Sequence, residues 1–168
     1  MNETFTEFLN EIQADPDMIQ QALRVYLSER TNDRTDKEML TELHTAVISE
    51  EELDHLLEEF KHDPDVLEQA ALAYFEYAWE DDTERPSIRA AFEYAKDKLP
   101  VVEITILAIV AMYGMYLLTT KGVTKIERTT KRNPDGSYEK TVKIEKEPFA
   151  PIISAMTSIL QLFKRRAP

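Results

Sequence analysis

The segment FLNEIQADPDMIQQALRVYL (Phe8–Leu27) returns 48 residues later as LLEEFKHDPDVLEQAALAYF (Leu56–Phe75). Glu11 aligns with Glu59, Asp15-Pro16-Asp17 with Asp63-Pro64-Asp65, Gln21-Ala22 with Gln69-Ala70, and Tyr26 with Tyr74. The same offset places Thr35-Asp36 over Thr83-Glu84 and Leu40 over Ile88. A chain that repeats at this period is built from one supersecondary unit used twice. Residues 1–48 and 49–96 therefore read as two copies of a three-helix unit. Two copies are few for an open solenoid, so a closed six-helix domain over 1–98 is expected.

Local signals place the helices. In each Asp-Pro-Asp, the first Asp can cap a helix and Pro suits the first helical position, where its missing N–H costs nothing. The second Asp sits at the positive end of the helix dipole. Ser49 and Glu52 form a capping box ahead of Leu53, Leu56, Leu57 and Phe60. Phe5, Phe8, Leu9 and Ile12 keep the spacing of one helix face. These signals predict helices over 3–13, 16–29, 36–47, 50–61, 64–80 and 86–98.

Charge divides the chain. Residues 1–100 carry nine Lys/Arg against 26 Asp/Glu, and residues 101–168 carry eleven against six, within a net charge of −12. Such asymmetry suggests regions with different surroundings, and the acidic total makes nucleic acid an unlikely partner. The absence of Cys excludes disulfides and thiol chemistry. The N-terminus has neither the basic start nor the apolar run of a signal peptide.

Between the halves lies VVEITILAIVAMYGMYLLTT (Val101–Thr120), with no charge from Ile104 onward. Pro100 can open this helix. Twenty helical residues rise roughly 30 Å, about the hydrocarbon thickness of a bilayer. A soluble helix normally keeps a polar stripe, and this one has none. The expectation is a transmembrane helix over 101–120, with Ile104, Ile106, Leu107, Val110 and Leu117 in the span. Ala108, Ala111 and Gly114 form a small-residue face for helix–helix contact. The alternative is a central helix buried in a soluble oligomer.

Residues 123–147 read as a basic β-hairpin turning at Asn133-Pro134-Asp135-Gly136. Setting Asn133 opposite Ser137 pairs Lys131 with Glu139, Lys125 with Glu145, Ile126 with Ile144 and Arg132 with Tyr138. The tail, 149–166, is a short apolar or interfacial helix with a basic end. Lys121, Lys125, Arg128, Arg132, Lys164, Arg165 and Arg166 are the candidate contacts to lipid headgroups or a partner.

No catalytic, cofactor-binding or metal site is expected. Three Gly leave little room for a phosphate-binding loop. His55, Glu59 and His62 share a helix face but lack the further ligand of a metal site. The Asp-Pro-Asp pairs lack the spaced ligands and turn Gly of a calcium loop, and no pair of carboxylates stands out as an acid–base couple.

The fold class expected is thus mainly α: a duplicated three-helix unit, a transmembrane helix, a β-hairpin and a short C-terminal helix. The function expected is a non-enzymatic, membrane-anchored homo-oligomer. Its partners would be itself, membrane lipid and an unidentified protein bound by the acidic domain, which is placed in the cytoplasm. Positive charge flanks the apolar segment more heavily on its C-terminal side, six Lys/Arg in 121–140 against four in 85–100, which argues for the opposite topology. Two alternatives compete: a channel-forming or membrane-permeabilising effector, and a soluble adaptor that oligomerises through 101–120.

Overall fold

The computed structural model describes residues 3–46, 50–98, 104–120, 123–126, 130–140 and 144–146. The chain is mainly helical. Helices α1 (Phe5–Ile12), α2 (Pro16–Arg30) and α3 (Asp36–Ala46) belong to the first copy of the repeat. Helices α4 (Glu50–Lys61), α5 (Pro64–Trp79) and α6 (Arg85–Lys98) belong to the second. Helices α2 and α5 start 48 residues apart on the same device. The Asp15 carboxylate accepts from the Met18 N–H at 2.8 Å, and the Asp63 carboxylate from the Val66 N–H at 3.3 Å, each with Pro opening the first turn. Helix α1 opens on a reciprocal box between Thr4 and Glu7. It closes with Gln13 in the left-handed region, while the Ala14 N–H reaches the Leu9 carbonyl at 3.1 Å. That is a Schellman-type stop, which satisfies carbonyls the helix would leave open.

Helix α5 is enclosed nearly all round: of Val66–Trp79, only Gln69 and Tyr77 are not buried. At one end its Phe75 and Trp79 join Phe5 and Phe8 of α1 and Phe92 of α6, with ring centroids 5.1–6.3 Å apart. The Arg89 guanidinium lies over Phe8 and Trp79 and also pairs with Glu3. Glu3 in turn receives the Trp79 indole N–H on its carbonyl at 2.8 Å. Glu3, ahead of α1, is thereby tied to α5 and α6 of the second copy.

The apolar segment forms α7 (Ile104–Thr120), and its position corrects the membrane expectation. The helix has 17 residues, a rise of about 26 Å. Among the described residues no helix is long and apolar enough to cross a membrane. Helix α7 instead lies against α2, α3, α4 and α5 and is part of the same core. Of the residues placed in the span, Val110 is buried, and Ile106, Leu107 and Leu117 are half-buried against the core. Ile104, at the start of the helix, is 42% exposed. Ala108 and Ala111 are buried, and Gly114 sits against other helices of the same chain. A side chain at Gly114 would meet Tyr74, Leu23 and Leu27 at 3.6–3.7 Å. The middle of the helix, residues 108–115, is buried by its own chain and needs no polar stripe, so its composition imitates that of a span.

The hairpin is also corrected. No continuous hairpin over 123–147 is present among the described residues. Among the described residues there are two short antiparallel ladders, one pairing β1 (Val123–Ile126) with β4 (Ile144–Lys146) and one pairing β2 (Thr130–Arg132) with β3 (Tyr138–Lys140). The first ladder slips register between Val123 and Lys125. In the second, Lys131 is opposite Glu139 and Arg132 opposite Tyr138. Ladders this short do not hold themselves together in water; β2 rests on α5 and β3 on α1. The predicted helix over 149–166 lies outside the described residues.

The packing around Gly114 makes opposite forecasts for two substitutions. Gly114→Ala adds a methyl at ordinary contact distance and removes a helix-interior Gly, so it should stabilise by about 0.5–1 kcal/mol. Gly114→Leu must displace Leu23, Leu27 or Tyr74 and should destabilise by about 1–3 kcal/mol. Urea-denaturation midpoints of the monomeric fraction measure both; a Leu variant as stable as the parent would place this face outside the core.

Candidate functional site

Helices α3 and α4 form the most acidic side of the body. Together they carry nine Asp/Glu against two Lys. Their apolar residues Met39, Leu43, Leu53, Leu56 and Phe60 are spent on the core, so the carboxylates are left to the outer faces. Glu38, Glu50, Glu51, Glu52, Asp54 and Glu58 are all exposed. His44 bridges the two helices, with Nδ1 3.8 Å from Glu50 and Nε2 3.7 Å from Asp54. His55 lies 3.3 Å from Glu59 and His62 3.5 Å from Glu58, so the two histidines attend different carboxylates. Among the described residues no group of His, Asp and Glu is arranged to hold a metal ion.

An open depression of about 360 Å³ lies on the same side, lined by Arg34, Lys37, Glu38, Thr41 and Glu42. At its edge α3 meets the central helix. The Tyr113 hydroxyl donates to the Glu42 carboxylate, which also pairs with Arg34, and Arg34 Nη1 lies 3.4 Å from the Tyr113 oxygen. A second cluster of the same composition sits at α2 and the start of α6. There Tyr26 donates to Glu84, Arg30 Nε reaches Glu84 at 2.7 Å, and the Arg30 guanidinium lies 5.1 Å from the Tyr26 ring centre. In both clusters a phenol buried at its ring end is anchored by a carboxylate, and an arginine neutralises that carboxylate.

These surroundings act on the phenols. Burial first, then the Glu42 carboxylate, pushes the Tyr113 hydroxyl well above its ordinary range. Burial and then Glu84 do the same to Tyr26. Tyr74, beside Tyr26, is pushed up to about 12, again mainly by burial. The sequence reading found neither cluster. Tyr26 and Arg30 are one helical turn apart, but Glu84 is 58 residues from Tyr26, and Glu42 is 71 from Tyr113. No local spacing marks such pairs.

Of the basic residues expected to contact lipid or a partner, Lys125 and Arg132 lie in β1 and β2. Lys121, Arg128, Lys164, Arg165 and Arg166 fall outside the described residues. Of the small residues, Ala108 and Ala111 are buried and Gly114 faces Tyr74, Leu23 and Leu27 of the chain's own helices. No family model matches the sequence, and comparison with curated proteins and with solved structures found no match.

The raised phenols set an alkaline limit on stability. Tyr26, Tyr74 and Tyr113 hold their protons more tightly folded than unfolded, where a tyrosine titrates near 10. Their contribution is fully present below about pH 10 and is lost as pH rises above it, because the unfolded chain then releases protons that the folded chain retains. Urea midpoints of the parent should therefore fall from pH 10 to 12. Tyr26→Phe and Tyr113→Phe should each flatten that fall relative to the parent; parallel pH profiles would show that the phenols do not titrate late.

Proposed function

We propose that the chain is a non-enzymatic, helical interaction protein that presents the acidic α3–α4 side to a cationic surface of a protein partner. The observation that carries this reading is the disposition of charge on two helices. Their apolar faces are consumed by the core, and six exposed carboxylates crowd the outer faces beside only two lysines. Like charges on neighbouring helix turns repel one another. A face of this kind weakens the fold slightly but steers a cationic partner into contact.

The channel-forming alternative depended on a span at 101–120, and among the described residues no helix is long and apolar enough to cross a membrane. Most of α7 is drawn into the core of its own chain, which favours partner binding by the acidic body over an adaptor that oligomerises through 101–120.

The test uses tagged full-length chain in its native cells, with bound proteins quantified at low and moderate salt. A double variant, Glu51→Lys with Glu52→Lys, moves the face by four charges and touches no buried residue. Recovery of a specific partner should fall at least roughly fivefold with the variant and with added salt, since exposed charges are screened within about 10 Å at 0.1 M. Both chains should remain folded and helical by circular dichroism, the variant somewhat less stable because both replaced residues lie in the first turn of α4. Equal recovery by both chains at both salt concentrations would sink the acidic-face reading.

A further inference from the structure

The segment 130–140 holds to the helical body in an unusual way. The Asn10 side-chain amide pairs with both polar groups of one peptide unit: Nδ2 donates to the Tyr138 carbonyl at 3.0 Å, and Oδ1 accepts from the Tyr138 N–H at 2.7 Å. The Tyr138 ring is 4% exposed, and its hydroxyl donates to the Ala14 carbonyl at 3.1 Å. One residue is thus read by its main chain and by its side chain at once. That combination is how an extended peptide is recognised: main-chain hydrogen bonds supply affinity, and a pocket supplies specificity.

The repeat shows that this seat belongs to one copy only. At the offset of 48, Asn10 and Ala14 correspond to Glu58 and His62, both exposed. The neighbouring Glu11/Glu59 and Asp15/Asp63 are the same in the two copies. The copies differ at Asn10, the side chain that holds the Tyr138 peptide unit.

The floor of the seat is helix α5. Its Phe75 and Trp79 face α1 and α6, and its Tyr74 faces α2 and α7. On a helical wheel the remaining sector carries Gln69, Leu72 and Glu76, and β2 is the element left to cover it. Glu76, in that sector, is 5% exposed, and the Gln69 side-chain oxygen is buried without a hydrogen-bond partner among the described residues. The cover is weakly built, since a three-residue ladder contributes little by itself. Its turn, at Pro134, Asp135 and Gly136, is exposed, so a competitor can reach it from solvent.

We propose that this α1–α5 face is a peptide-binding seat, filled in cis by the strap 130–140. In trans it takes an extended segment of a partner protein that carries a tyrosine. The proposal rests on the reading of the chain as a partner-binding protein and adds a second, distinct surface to it. In the resting chain the strap competes at an effective concentration on the order of millimolar, so a free peptide of ordinary affinity is excluded.

The probe is a fluorescein-labelled synthetic peptide covering residues 128–142, titrated by anisotropy with full-length protein. Tyr138→Ala in the full chain empties the ring pocket and weakens the strap. The peptide should bind this variant at least tenfold more tightly than the parent. The same peptide with alanine replacing its tyrosine should bind neither, and adding Asn10→Ala to the variant should abolish the gain. A folded Tyr138→Ala chain that binds the peptide no better than the parent overturns the proposal. So does a variant that loses its helical circular dichroism, because a displaceable strap cannot be what holds the helices. The charge reversal at Glu51 and Glu52 touches none of these residues, so the two readings fail separately.

Discussion

Helix α5 and the middle of α7 are buried nearly all round, and the rest of the molecule is organised around covering them. Helices α5 and α7 meet where Gly114 lets Tyr74, Leu23 and Leu27 come within contact distance of the α7 backbone. A larger residue there would force the pair apart, in an interior packed like an organic solid. Helices α2, α3 and α4 close around α7, while α1, α6 and β2 complete the cover of α5. Each of these outer elements is amphipathic because one face is committed to the pair and the other meets water.

This requirement breaks the symmetry of the repeat. The two copies begin from the same caps, yet α6 packs broadly along α2, whereas α3 faces α7. The seventh helix takes a place that a symmetric six-helix bundle would give to a partner within the repeat. Divergence between the copies follows from this. Tyr26 keeps a carboxylate partner at the α2–α6 contact, while the matching arrangement on the other side is built from Tyr113 of α7 with Glu42. In both places an arginine offsets the carboxylate, so a buried phenol is anchored without leaving an uncompensated charge near the core.

The outer charge and the strap are consequences of the same cover. With their apolar residues drawn inward, α3 and α4 leave a nearly uniform acidic face. With one sector of α5 still open, the chain closes it using a short segment held by Asn10, Ala14 and the Tyr138 ring. The acidic face is attractive to a cation, and the strap is held by contacts that another extended segment could reproduce.

The helices of the two copies, their caps at Asp15 and Asp63 and their apolar faces were legible in the sequence, because each depends on residues within a turn or two of one another. Charge segregation was legible for the same reason. The sequence by itself also determined that α7 must be surrounded by apolar material, but not what that material would be. Lipid and a shell of its own helices demand the same composition, and only the tertiary structure chose the shell. It likewise decided that Gly114 meets the chain's own α2 and α5, and that Tyr138 seats on Asn10, 128 residues away. Contacts at that separation leave no period in the sequence; they exist only once packing has brought distant faces together.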